Sequence, residues 1–279
     1  MKHLVQILFF VGWMASYPLF AQQKDYGSPN SFGMEFQKIE PGRLLVGRIE
    51  IECPAYPDTR DVPEEAKWTK EDFEKCKVMA ERDSRPGFWV NITQSYFIGK
   101  YEVTQGQWKE VMGSNPSFFN EKKVGRNTDL HPVENVSWEM VQDFLTKLNH
   151  RDSIYRYRLP TEFEWEFAAR AGNDALLSWA ETIEQAWIQQ IDKGTTQPVG
   201  TKKPNPWGLF DMLGNVWEWV EDYYNDGVFA DPIPPVKGTV HVLKGGSITS
   251  DLTNATYLFH GGGPGNGYDV GFRLVREIK

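Results

Sequence analysis

Two sets of side chains in this sequence are of types that do chemistry. The first is a lone pair of cysteines, Cys53 and Cys76. Their spacing is far from the C-x-x-C of a redox dithiol. In an oxidising compartment such a pair reads as a structural bridge, with two free thiols as the alternative. The second is the stretch Pro204–Trp219, in which Trp207, Trp217 and Trp219 crowd around Asp211 and Glu218. Two carboxylates, together with backbone carbonyls that a turn at Gly214 can point inward, are oxygen ligands that suit Ca²⁺ rather than zinc or copper. The same residues would equally make a structural turn, the acids accepting Trp and backbone N–H bonds.

Other chemistries find no support. Of the five histidines, His3 sits in the N-terminal apolar segment, and His131, His150, His241 and His260 stand singly. No H-x-x-x-H or mixed Cys/His spacing points to zinc. Gly261-Gly262-Gly263-Pro264-Gly265 is followed by no helical pattern, which argues for a flexible loop and against a phosphate cradle. A G-x-S-x-G elbow is absent, so a serine hydrolase is not indicated.

The elements that must position these groups can be read from their punctuation. Thr104 with Gln107 forms a capping box ahead of Trp108, Val111 and Met112, and Gly113 ends that helix. Ser137 caps a second helix whose Val141, Phe144, Leu145 and Leu148 recur at helical spacing. Thr161 with Glu164 caps a third, with Trp165, Ala168 and Ala169 facing inward and Gly172 as the stop. Thr69 caps a further helix carrying Phe73, Cys76 and Ala80 on one face. Met34–Val46 is expected to be a strand pair turning at Pro41-Gly42, and Trp89–Tyr101 two short strands around Gln94-Ser95. The rest is loop and short strand, so the fold class is α+β with much irregular structure.

The 279 residues carry a net charge of −8 with 40% hydrophobic residues. That composition builds a sizeable core and argues against nucleic acid and anionic lipid as partners, since no basic stripe offsets the acidic excess. Lys2 followed by apolar Leu4–Met14 and a small residue at Ala21 reads as a signal peptide over residues 1–21. The apolar run is too short to span a membrane comfortably. The mature protein is expected outside the cytoplasm, secreted or periplasmic, with no membrane span. Residues 22–33 read as a mobile leader and 34–279 as one domain, interrupted by a charged, Cys-containing insertion at about 48–87.

Six segments in order carry a resemblance: Tyr101-Glu102-Val103-Thr104, His131–Trp138, Arg158–Glu166, Asn205–Trp219, Lys244-Gly245-Gly246-Ser247 and Gly271-Phe272-Arg273-Leu274. As a set they resemble the formylglycine-generating enzyme (sulfatase-modifying factor) family. The resemblance implies a loop-rich fold related to the C-type lectins. It also implies calcium braces, one of them using Asp211, Glu218 and the backbone carbonyls of Gly214 and Val216. The stretch that would hold a second calcium, near Ala186-Trp187-Ile188, lacks the family's Asn, so one site is expected. Family enzymes oxidise a sulfatase cysteine with O₂ and copper held by two cysteines just after the G-G-S motif. Those positions are Ser250 and Ala255 here, neither of them a thiolate for Cu(I), and Lys244 replaces the usual Arg. The resemblance thus implies a scaffold without its oxidase chemistry, binding a protein, peptide or glycan in a groove around Trp219, Ser247, Ser250, Tyr257 and His260. The alternative is a working formylglycine-generating oxidase.

Overall fold

The computed structural model describes residues 28–47, 53–83, 87–173, 175, 177–191, 194–225, 227–228, 235–252, 254–263 and 267–279. The signal peptide expected at residues 1–21 lies outside these. Within the expected leader, residues 28–33 make hydrogen bonds to the body. The Asn30 amide donates to the Tyr157 hydroxyl at 3.0 Å, and Arg276 donates to the Ser28 carbonyl at 3.0 Å.

The helices start where their caps place them. Helices α2 (Gln105–Met112) and α5 (Glu162–Arg170) open on complete capping boxes at Thr104 and Thr161, and α4 (Trp138–Arg151) opens on Ser137. Gly113, left-handed at φ 78°, closes α2. Helix α1 (Lys70–Asp83) follows Thr69, whose hydroxyl accepts from the Asp72 N–H. Two short helices stand outside the sequence reading: α3 (Glu121–Val124) and α6 (Trp179–Gln185), the latter opened by a Ser178/Glu181 capping box. Both are too short to show an apolar period, and their legible signals are the end residues: the box at Ser178 for α6, and the Asn120 cap and Gly125 stop for α3.

Strand pairing is where the structure departs from expectation. Strands β1 (Phe36–Ile39) and β2 (Gly42–Val46) form, yet they do not pair with each other. β1 joins β4 (Tyr96–Gly99), while β2 joins β3 (Phe88–Ile92), both antiparallel. Turn residues mark where a chain bends; which edge it then meets depends on burial elsewhere. One four-stranded sheet runs β1-β4-β10-β5, with β5 at Tyr155–Arg158 and β10 at Val275–Ile278. The other runs β8-β7-β6-β9, comprising β6 (Trp217–Tyr223), β7 (His241–Lys244), β8 (Gly261–Gly263) and β9 (Val270–Phe272). The β6–β9 pair is parallel.

The chain passes from the second sheet to the first between β9 and β10, across Arg273-Leu274. Two apolar clusters flank that crossing. One is built on Trp108, Phe144 and Phe272, with the Trp108 and Phe144 rings stacked 5.1 Å apart. The other gathers Trp165, Ala168, Leu213, Val220 and Val242. Burying large rings at low rotamer cost is what lets so loop-rich a chain hold together.

Candidate functional site

At the crossing between the sheets, Arg273 is fully buried and has no water to solvate its charge. The structure surrounds it with acceptors. Its Nε and Nη2 donate to the two oxygens of Glu218 at 2.6 and 2.7 Å. Nη1 donates to the Gly99 carbonyl at 3.1 Å, and Nη2 also to the Phe210 and Asp211 carbonyls. The Trp165 indole adds a bond to Glu218 Oε2 at 2.8 Å. This bidentate clamp ties β6, β4, α5 and the 210–211 turn to one guanidinium.

Two more buried acids adjoin it. Glu102 accepts from the Val216 N–H at 3.2 Å through Oε1 and from the Asn215 amide at 2.7 Å through Oε2. Asp211 accepts from the Gly200 N–H at 2.7 Å through Oδ2, while its Oδ1 is buried with no hydrogen-bond partner. Burial pushes the Asp211 carboxyl up to about 6, against the pull of the Gly200 N–H and Arg273. Burial, then the charges of Asp211 and Glu218, push Glu102 well above the ordinary carboxylate range. Three carboxylates thus share one guanidinium.

The loop carrying these groups is held in an unusual backbone shape. Asp211, Gly214 and Asn215 all have positive φ, at 52°, 77° and 57°. Gly214 bridges to Trp187, whose carbonyl accepts from the Asn215 N–H at 2.8 Å. A side chain at Gly214 would meet that carbonyl at 2.2 Å.

Glu218 does accept a Trp N–H, as a structural turn would have it. The stranded Asp211 oxygen and the excess of buried negative charge fit a hard divalent cation. A carboxylate offers about four lone-pair sites, and Glu218 has three occupied, leaving room on Oε1. Among the described residues no group of three or more His, Cys, Asp or Glu side chains is arranged to hold a metal ion, so carbonyl oxygens would have to complete the shell.

The groove expected around five residues is not an open surface at those side chains; all five are buried. The Trp219 indole donates to the Val136 carbonyl at 2.9 Å. The Ser247 hydroxyl donates to Asp269 at 2.7 Å, and its N–H donates to the Ser250 hydroxyl at 2.9 Å. Tyr257 belongs to the Trp165 cluster. His260 sits 2.5 Å from Glu162 and 2.8 Å from the Asn225 carbonyl, with Tyr224 stacked on its ring. Polar residues at loop positions look like surface in sequence; here they close the interior hydrogen bonds of a core short of regular structure.

His260 and Lys244 belong to a second buried network. The Lys244 ammonium lies 3.5 Å from Glu162 and 3.2 Å from Glu166, and Arg170 pairs with Glu166 at 2.6 Å. Burial alone would raise the Glu162 carboxyl, but Lys244 and His260 hold it below its usual value.

The positions matched to the copper cysteines do come together. A methyl group at Gly246 would lie 3.1 Å from Ala255 Cα and 3.3 Å from the Ser250 hydroxyl, so both residues flank that glycine without spare room. The cysteines of the chain, Cys53 and Cys76, are bonded to one another and secure α1 to the start of the insertion. That insertion packs on α6: Trp68 meets Trp179 edge-on at 5.0 Å, and Arg60 lies 4.2 Å over the Trp179 ring. Residues that sequence reasoning gave no role, Glu102 and Arg273, prove central. Their signal was two charged residues inside otherwise apolar motifs, Tyr101–Thr104 and Gly271–Leu274.

Comparison with known proteins follows the same lines. The sulfatase-modifying factor enzyme 1-like domain is matched over residues 62–278. The chaperone protein LppX of Paenibacillus barcinonensis is 31% identical over 243 residues, covering 67% of this chain and 82% of that protein. The formylglycine-generating enzyme of Thermomonospora curvata is 36% identical over 184 residues, 57% of this chain and 52% of the enzyme. Among solved structures, Treponema denticola variable protein 1 superposes with a TM-score of 0.66 at 26% identity, covering 87% of this chain and 94% of the other.

Proposed function

The chain belongs to the sulfatase-modifying factor enzyme 1-like family, and on that footing we propose that it is an exported member without cysteine-to-formylglycine oxidase activity, serving as a binding or assembly module. The observation that carries this reading is the pair Ser250 and Ala255. The family resemblance puts the copper-holding cysteines at these positions. Here the Ser250 hydroxyl is engaged by the Ser247 N–H, and Ala255 offers only a methyl group. Cu(I) is soft and takes thiolates, so these residues do not fit it. The sulfurs of Cys53 and Cys76 are engaged with each other.

The binding half of the reading draws on the relative named as a chaperone, 82% of which is spanned by the match. It also draws on the insertion. Residues 53–83 carry exposed Tyr56 and Val78, and α1 lies near enough to the Ser250 turn for Asp251 to act on Lys75 after Glu71. The ligand class is a protein, peptide or glycan outside the cytoplasm. One calcium ion is held by Asp211, Glu218 and the carbonyls of Gly214 and Val216. It supplies positive charge to a buried acidic loop and is structural.

The test is direct. The purified chain is titrated with Cu(I), then incubated with a cysteine-containing sulfatase peptide and O₂, and aldehyde is trapped with a hydrazide. Neither tight copper binding nor aldehyde is expected. Aldehyde formed in step with bound copper overturns the reading. Peptide and glycan arrays probed with the full chain test the binding half, which fails if nothing is retained.

A further inference from the structure

Glu102 lies outside the four residues expected to hold calcium, yet it is built into the loop that presents them. Its own backbone neighbourhood is rigid. The Val103 N–H donates to the Phe272 carbonyl at 2.9 Å, and the Val103 carbonyl accepts from Val133 at 2.8 Å. From that base the Glu102 carboxylate reaches across to the Val216 N–H and the Asn215 amide. A peptide unit is planar, with its N–H and carbonyl pointing opposite ways. Holding the Val216 N–H toward Glu102 therefore turns the Asn215 carbonyl the other way, where it accepts from Ile248 at 3.0 Å. The orientation of the 215–216 peptide thus answers to Glu102.

The charges point the same way. Glu102, Asp211 and Glu218 are buried together, and Arg273 is the buried cation among them. Lys202 faces Asp211 from a partly exposed position, where solvent screens it. With all groups ionised, the buried set carries two negative charges more than Arg273 balances. Removing Glu102 would leave one. The partnerless Asp211 oxygen, itself buried, is the acceptor that a bound cation would meet.

We infer that Glu102 is the positioning residue of the cation loop: it orients the Asn215–Val216 peptide and supplies the charge that makes the site prefer a divalent ion. The inference rests on the calcium reading above and goes beyond its ligand set.

The experiment uses the full chain, stripped with EDTA and dialysed, then titrated calorimetrically with CaCl₂. Wild type, Glu102→Gln, Glu102→Asp and Asp211→Asn are compared, and metal-free melting is recorded for each. Glu102→Gln is expected to weaken calcium binding at least tenfold; its amide keeps one acceptor for the two donors that Glu102 serves, so its metal-free form is expected to melt lower than wild type as well. Glu102→Asp keeps the charge with a shorter reach and is expected to bind more tightly than Glu102→Gln; it carries the test if the Gln variant does not fold. A purely structural Glu102 would leave calcium affinity unchanged in Glu102→Gln while metal-free melting falls, and that unchanged affinity overturns the inference while the calcium reading stands. A wild type that binds no calcium overturns both.

Discussion

Replacing Gly214 by Ala tests how the acidic loop is held, and Gly113 provides a matched control. The two glycines have nearly the same backbone, φ 77° and 78°. The strain of placing an L side chain in that region is therefore common to both, about 1–2 kcal/mol. Their surroundings differ. A Cβ at Gly113 meets nothing within 4 Å, whereas one at Gly214 would lie 2.2, 2.7 and 2.8 Å from the carbonyl oxygen, carbonyl carbon and nitrogen of Trp187. These are backbone atoms and cannot rotate aside, so the Trp187–Gly214 bridge must open. Forced overpacking costs roughly 1–3 kcal/mol, and the neighbouring Asn215-to-Trp187 hydrogen bond is worth about 1 kcal/mol more. Gly113→Ala should thus cost about 1–2 kcal/mol and Gly214→Ala about 3–6 kcal/mol. Urea titration at fixed calcium reads both as midpoint shifts at unchanged m. Equal destabilisation by the two substitutions, within about 0.5 kcal/mol, would refute the reasoning.

The clamp at Arg273 predicts a non-additive cycle. Arg273→Met alone strands Glu218 and should cost about 3–5 kcal/mol, while Arg273→Met with Glu218→Leu should cost less than that single change; thermal melting of the three chains decides it. Stability should also fall as pH rises toward 8. Burial pushes Glu134 up to about 7, even though the Phe118 and Phe119 N–H groups favour its charged form. A raised carboxyl contributes stability that is fully present below its unfolded pKa and lost as pH passes its folded value. The span is worth up to roughly 3 kcal/mol. Urea midpoints from pH 4.5 to 8 should show this decline, and Glu134→Gln should make it shallower, leaving the share carried by Asp211 and Glu102. Reducing Cys53–Cys76 releases a loop constraint of about 3 kcal/mol by chain entropy. Hydrogen exchange should then rise across residues 53–83 while α2 and α4 stay protected; uniform protection would refute the assignment of the bridge to the insertion.

Local chemistry made parts of the molecule legible in advance. Thr104, Ser137 and Thr161 open helices because a cap is a contact between residues three apart, and three residues are visible in any sequence. The strand runs expected within 34–46 and 89–101 were visible too, for the same reason, and the strands form at 36–39, 42–46, 88–92 and 96–99. Their partners were not: β1 crosses to β4 and β2 to β3 with a 40-residue insertion intervening, and turn residues carry no information about that choice. His260 and Ser247 were expected in a groove on the family resemblance, and their burial could not be read from residue identity. The order of family motifs identified the fold, and the residues at 250 and 255 argued against the oxidase.

What the sequence determined by itself, then, was the class of scaffold, the helix starts and the absence of thiols at the matched positions, since each is a matter of residue identity and short spacing. Only the tertiary structure decided that Glu102, Asp211 and Glu218 meet around Arg273. Glu102 and Arg273 lie far along the chain from the stretch that carries Asp211 and Glu218, and only the passage from one sheet to the other at Arg273 brings them to it. Once there, burial removes the water that would otherwise have separated their charges, and the geometry of each carboxylate becomes a property of the assembled loop.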